Sequence, residues 1–204
     1  MNKQHRPVSL GFTRQEFEPG VHVCQIFSDD SERFDSLLNF LVSGLQAGER
    51  TCCFSDSADQ RAIEEHLNDC GVSYRQAISS KMLSISGTSE AYFINQRFDP
   101  DHMIKMLRDY YLDALDQGYG AARVIGEMAA EIQHISGGSR LLEYECKVSL
   151  LQRECPVTAV CQYDARLFDG AMIMDVLKVH PLMVIRGSVV RNPFYISPEA
   201  FLNP

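Results

Sequence analysis

Residues 21–54 read VHVCQIFSDDSERFDSLLNFLVSGLQAGERTCCF, and this stretch decides the fold. Its first seven residues are rich in apolar and β-branched side chains, the pattern of a buried strand. Asp29 or Ser31 then serves as a helix N-cap, and Asp30 and Glu32 suit the positive end of the helix dipole. Phe34, Leu37, Leu38, Leu41, Val42 and Leu45 follow at intervals of one, three and four. They form a single apolar helical stripe, which Gly48 ends. A second short strand occupies residues 51–54.

The alternation continues outward from this unit. Asp56 or Ser57 is placed to cap a helix ending near Cys70, with Ser57 and Gln60 in capping-box register. Residues 82–86 read as a third strand. Asp99-Pro100-Asp101 opens a further helix, whose inner face is Ile104, Leu107, Tyr111 and Leu115. Residues 122–128 form a fourth strand, about 140–154 a helix, and 157–163 a fifth strand. A short helix over 171–179 and closing strands at 182–185 and 188–190 complete the order. Nearly all-apolar strands alternating with helices predict an α/β fold, a mostly parallel sheet flanked by helices on both faces. Residues 1–20 are expected to be a loose leader, and 21–204 a single domain.

Composition narrows the function. The 27 Asp and Glu against 19 Lys and Arg leave a net charge of −8. Counterion release from nucleic acid needs a basic face, so no direct nucleic-acid partner is expected. No apolar run approaches the ~20 residues that cross a bilayer, so no membrane partner is expected either. Residues 1–11 lack the apolar core of a signal peptide, which predicts a cytoplasmic location. The seven cysteines fit reduced, mostly buried thiols better than a disulfide framework. Cys52 and Cys53, adjacent in a strand, should face opposite ways.

In open α/β sheets ligands gather beyond the carboxyl ends of the strands. Those ends nominate Phe27, Ser28, Asp29, Asp56, Glu127, Tyr163 and Asp164 as ligand-binding candidates. The first strand-to-helix turn, Phe27 to Arg33, has neither the glycines nor the lysine of a phosphate-binding loop, and it carries three carboxylates. Two like charges 4 Å apart repel by about 4 kcal/mol at an effective dielectric near 20. Helix-dipole attraction offers at most ~2 kcal/mol, so ordinary nucleoside triphosphate hydrolysis is excluded. Glu127 either anchors the loop after its strand or holds a ligand. Asp29 and Asp30 compete between helix-start and ligand roles, and Asp164 between turn and ligand roles. His22 and His180 lie at the starting ends of their strands. If the first strand lies beside the last, they approach each other, and with Cys24 they are metal-ligand candidates; satisfied core histidines are the competing reading. No metal, other cofactor or catalytic residue is assigned. Glu143 and Glu145 read as salt-bridge or helix-to-sheet hydrogen-bonding groups.

Several motifs carry a family resemblance. They are His22-Val23-Cys24, residues 40–49 (FLVSGLQAGE), Phe98-Asp99-Pro100, Gly126-Glu127-Met128, Glu143-Tyr144-Glu145 and Cys161-Gln162-Tyr163-Asp164. His180-Pro181, Asn192-Pro193-Phe194-Tyr195 and residues 198–202 (PEAFL) follow in order. Together they resemble the MEDS domain, the sensory domain of DcmR-like proteins. The resemblance implies a RecA/KaiC-like three-layer sandwich without a functional Walker A loop. It also implies a non-catalytic cytoplasmic sensor of small organic compounds such as hydrocarbon derivatives. Family members occur beside DNA-binding, histidine-kinase or PAS modules. No such module is visible here, so the expected partners are a small-molecule ligand and a histidine kinase or transcription regulator. A homodimer, or pairing through residues 192–202, is a further arrangement. The alternative function is a residual nucleotide- or metal-binding enzyme using Glu127 and Asp164.

Overall fold

The computed structural model describes residues 7–203. Two short strands, β1 (Val8–Ser9) and β2 (Glu16–Phe17), pair antiparallel ahead of the main sheet. Then come β3 (His22–Phe27), α1 (Asp30–Gln46), β4 (Arg50–Phe54), α2 (Gln60–Asp69) and α3 (Tyr74–Ser79). They are followed by β5 (Leu83–Ser86), α4 (Thr88–Tyr92), the small hairpin β6 (Phe93–Ile94) and β7 (Arg97–Phe98), and α5 (Pro100–Asp116). The last part holds β8 (Ala122–Glu127), α6 (Leu141–Leu151), β9 (Thr158–Asp164), α7 (Gly170–Val179), β10 (Leu182–Ile185), β11 (Ser188–Arg191) and α8 (Pro198–Leu202).

Seven strands make one sheet in the order β11-β10-β3-β9-β8-β4-β5, parallel throughout except for the edge strand β11. The period-2 alternation of strands sorts the core into two layers. Val23, Cys53, Ile125 and Val160 pack against α1, α2 and α3. Cys24, Cys52, Val124, Ala159, Cys161 and Tyr163 face α5, α6 and α7. Cys52 and Cys53 thus point to opposite faces, and all seven cysteines are free, with Cys70 alone exposed. β10 lies beside β3, which brings His180 next to His22. The seven strands of the main sheet, its mostly parallel character and the helices on both faces are those expected from the sequence; β1, β2, β6, β7, α3 and α4 are additions.

Residues 7–20, expected to be a loose leader, are instead packed. Val8 and Leu10 are buried, Leu10 completely, because the β1–β2 turn lays them on α1. The expected cap of the second helix also shifts. Asp59, not Asp56 or Ser57, accepts the first backbone amides of α2. Asp56 turns the other way and holds the start of α4 through the amide (2.9 Å) and hydroxyl of Thr88.

A buried arginine pins α1 to the amino ends of the strands. Arg123 of β8 is fully buried. Its Nε donates to Glu49 (2.6 Å), and its Nη1 donates to Ser43 Oγ, Ser9 O and Phe40 O. The guanidinium lies over the Phe40 ring, 4.8 Å from its centroid. A Cβ at Gly44 would stand 2.5 Å from Arg123 Cδ, so this position needs glycine. Residues 40–49 are therefore a socket for Arg123, which explains Phe40, Ser43, Gly44 and Glu49 without any ligand.

Candidate functional site

At the carboxyl ends of the strands the first turn of α1 approaches β4 and β8. Asp29 is the N-cap of α1, accepting from the amides of Ser31 (2.8 Å) and Glu32 (3.4 Å). One turn on, Arg33 is 3% exposed and folds inward between the rings of Phe27 and Phe34, 5.6 and 5.8 Å from their centroids. Glu127 faces it from the end of β8. The Glu127 Oε2 atom accepts from Ser55 Oγ and Ser57 Oγ, both at 2.7 Å, and stands 3.7 Å from Arg33 Nη1. That separation is an ion pair but too long for a hydrogen bond. Arg33 Nε and Nη1 are buried without any hydrogen-bond partner. A cavity of about 240 Å³ opens here, lined by Asp30, Ser31, Arg33, Phe34, Ser57 and Asp59.

The carboxylates of this edge do not simply repel. Arg166, in the turn after β9, donates to Asp164 (2.6 and 2.8 Å) and Asp30 (2.7 and 3.1 Å) together. Hydrogen bonds from Arg166 hold both carboxyls below the ordinary aspartate range. Beneath them, Gln162 on β9 bonds Gln25 on β3 (2.9 Å) and the Arg33 carbonyl (3.1 Å), and Gln25 bonds Ser36 (3.0 Å). This buried amide chain ties the first turns of α1 to the sheet.

A second cluster lies on the opposite face. Glu145 of α6 projects onto the sheet, with Oε2 3.2 Å from His22 Nε2 and 3.4 Å from His180 Nε2. Its other oxygen accepts from the Tyr163 hydroxyl. Cys161 Sγ is 3.4 Å from His22 Nε2 and 3.6 Å from Glu145 Oε2. Burial, reinforced by His180, pushes the His22 pKa down to about 4, so its ring is neutral at pH 7. Burial likewise pushes the Cys161 thiol well up.

A family model for MEDS, described as the methanogen/methylotroph DcmR sensory domain, matches residues 21–181. The chain belongs to the MEDS family. Over 162 residues it is 25% identical to the transcriptional repressor DcmR of Methylorubrum extorquens, a match covering 78% of this chain and 57% of the repressor. The chain thus spans little more than half the length of that relative. Among solved structures it is similar to the flagellar accessory protein FlaH of Methanocaldococcus jannaschii (TM-score 0.59, 10% identity, 84% of this chain and 76% of the other). It is also similar to a KaiC-like protein of Pyrococcus horikoshii (TM-score 0.58, 13% identity, 87% and 79%). These likenesses establish a RecA/KaiC-type architecture. The MEDS chain keeps that sheet while its first turn lacks the phosphate-binding glycines and lysine. No helix among the described residues is long and apolar enough to cross a membrane.

None of the seven ligand-binding candidates lines the carboxyl-edge cavity: Phe27 and Glu127 lie against Arg33, Asp29 caps α1, and Asp164 is tied to Asp30 through Arg166. Ser28 is exposed beside the Asp29 cap. Asp56 is taken up by Thr88. Tyr163 is removed from this site: it alternates with Gln162 and Asp164 along β9 and points, fully buried, to the opposite face. Of the metal-ligand candidates, His22 and His180 come together, ring centroids 4.2 Å apart, but Cys24 is not one of the converging groups. Glu145 and Cys161 take its place, while Glu143 pairs with Arg140 and Lys147 at the surface.

Sequence reasoning gave Arg33 no role. The signal was there: an arginine in the first turn opposes the helix dipole, and it precedes the apolar stripe of α1. Glu145 was marked in the same way, as a carboxylate on the line Leu141, Glu145, Val148 that faces the sheet.

Proposed function

We propose that this MEDS domain is a non-catalytic, cytoplasmic sensor that binds a small oxygen-bearing organic compound at the carboxyl edge of its sheet. It passes the signal to a regulatory protein, a histidine kinase or transcription regulator. The observation that carries this reading is Arg33, which borders the cavity and whose Nε and Nη1 are buried without hydrogen-bond partners. Leaving a buried charged donor without a partner costs several kcal/mol, and an acceptor on a ligand relieves that cost. Phe34 supplies an apolar wall, and Ser31 and Ser57 offer hydroxyls, for a compound with a short carbon skeleton. A cavity of about 240 Å³ is small for a binding site and suits a compound of a few non-hydrogen atoms.

The signal would travel as a population shift. Arg33 and Asp30 sit in the first turn of α1, and Arg166 bridges that turn to the loop after β9. A ligand that engages Arg33 favours one placement of that turn, and the partner reads the surface around it. The family description and the DcmR relative support a regulatory role.

The test is a melting-temperature screen of the full chain against carboxylates, alcohols, aldehydes and amides of one to four carbons. It is paired with native mass spectrometry of the protein as purified. Ligand at one hundred times its Kd adds about 2.7 kcal/mol, a rise of roughly 5–10 °C for a domain of this size. Arg33→Met should abolish that rise. An empty native mass with no compound shifting the transition would overturn the small-ligand reading. Saturable micromolar binding of ATP with magnesium would favour the nucleotide enzyme instead.

A further inference from the structure

We propose that His22, His180, Cys161 and Glu145 form a binding site for one divalent transition metal ion of the zinc class. The cluster lies on the opposite face of the sheet from the carboxyl-edge cavity, and the proposal stands independently of the sensing reading.

The geometry carries it. One donor atom from each residue lies within 4.8 Å of all the others. Zinc bonds of about 2.0–2.1 Å to nitrogen and oxygen, and about 2.3 Å to sulfur, place tetrahedral donors about 3.3–3.6 Å apart. The measured separations are 3.2 Å for His22 Nε2 to Glu145 Oε2 and 3.4 Å for His180 Nε2 to the same oxygen. Cys161 Sγ completes the set, 3.4 Å from His22 Nε2 and 3.6 Å from Glu145 Oε2. Four of the six edges thus match a tetrahedron around one ion, and the two that join His180 Nε2 to His22 Nε2 and to Cys161 Sγ lie within 4.8 Å, so the His180 ring closes in when the ion binds.

The outer contacts select the right atoms. His180 Nδ1 bonds the Val176 carbonyl at 2.8 Å, so that nitrogen carries the proton and Nε2 presents its lone pair. His180 Nε2 is also buried without a hydrogen-bond partner. His22 is arranged alike, with Nδ1 2.9 Å from Ser149 Oγ and Nε2 turned inward. Tyr163 holds the Glu145 oxygen that does not face the histidines. Two imidazoles, each oriented from behind, with a thiol and an oriented carboxylate form a donor set suited to zinc.

Charge points the same way. The residues are 0–9% exposed, where an uncompensated charge is expensive. A divalent ion with one carboxylate and one thiolate is neutral as a unit. Binding removes the Cys161 proton, which leaves to solvent, and the Tyr163 hydroxyl proton stays on its oxygen. A surface cavity of about 310 Å³, lined by Gly20, Ser149, Gln152, Pro181 and Tyr195, reaches His22, the one member of the set that borders it. The bound ion would join α6, β3, β9 and the segment after α7, which are otherwise held by packing and hydrogen bonds.

The full chain, grown with added zinc and purified without chelator, should contain about one equivalent of zinc by elemental analysis. After chelation, cobalt(II) should bind to saturation, with tetrahedral visible bands and a near-ultraviolet thiolate charge-transfer band that zinc then erases. Cys161→Ser should lose the charge-transfer band, and His180→Gln should weaken cobalt binding by at least about tenfold. Cys24→Ser, a buried neighbour outside the set, should keep both signals, and circular dichroism confirms that each variant is folded. No saturable cobalt binding by the wild-type chain would overturn the site, as would a charge-transfer band that survives in Cys161→Ser. Iron or copper found in the purified chain, with the same dependence on Cys161, would support the site and overturn the zinc assignment.

Discussion

Two arginines are buried between α1 and the sheet, Arg33 near one end of the helix and Arg123 against Gly44, about 16 Å further along. At the amino edge of the strands, Arg123 meets a carboxylate at 2.6 Å, two carbonyls, a hydroxyl and an aromatic ring. At the carboxyl edge, Arg33 has two rings beside it and a carboxylate at 3.7 Å, and its Nε and Nη1 have no acceptor. Both are cations removed from water, but Arg123 is hydrogen-bonded at Nε and Nη1 and lacks a partner only at Nη2, whereas Arg33 lacks one at both Nε and Nη1. The difference separates an edge that braces the domain from the edge on which the proposed ligand site rests.

That contrast fails first at Glu49 if it is wrong. Glu49→Gln leaves Arg123 buried beside a neutral amide, and breaking a buried pair by removing one partner costs about 3–5 kcal/mol. Chemical denaturation should show a loss of that size, with a melting temperature lower by roughly 6–20 °C. A loss under about 1 kcal/mol would mean that the socket is not the brace described.

Arg33→Met should behave differently. Replacing a buried, poorly paired charge with an apolar chain of similar length is often neutral or stabilising. Glu127 keeps its two serine donors and some exposure. The ligand-free variant should therefore stay within about 1 kcal/mol of the wild type in denaturant. A loss above about 3 kcal/mol would make Arg33 a second brace and leave the carboxyl edge without a ligand-binding group.

The sheet was legible because apolar strands and amphipathic helices alternate without interruption, and the meeting of His22 with His180 followed from strand order. The packed residues 7–20 were not, since Val8 and Leu10 find their burial on α1, far along the chain. Tyr163 was assigned to the wrong face because a strand end was read as a point, although its neighbours Gln162 and Asp164 point the other way. Asp56 was misread because a cap and a bridge to Thr88 look alike until the loop after β5 is in place. The sites themselves were half visible. Glu127 and His22 stand at strand ends, but Arg33, Glu145 and Cys161 acquire meaning only when a helix or neighbouring strand delivers their partners.

The weakest link of the carboxyl edge is the one between its loops. Arg166 bridges Asp30 and Asp164 across the cavity rim, and its hydrogen bonds lower the pKa of both carboxyls in the folded state. A carboxyl with a lowered folded pKa contributes stability that is present above its unfolded pKa, about 3.9, and lost as pH falls through the folded value. Arg166→Gln removes the cause of the shift. The variant should be slightly less stable than the wild type from pH 5 to 7, the effect being small because solvent and salt screen exposed pairs. As pH falls through the lowered folded pKa of the two aspartates the two stability curves should converge, because both carboxyls are then protonated in either protein. A gap that stays unchanged after both aspartates have titrated, followed by NMR of their side chains, would show that Arg166 acts through packing rather than charge. A gap that closes would leave the bridge as an adjustable contact between α1 and the loop after β9, the property a ligand-responsive edge requires.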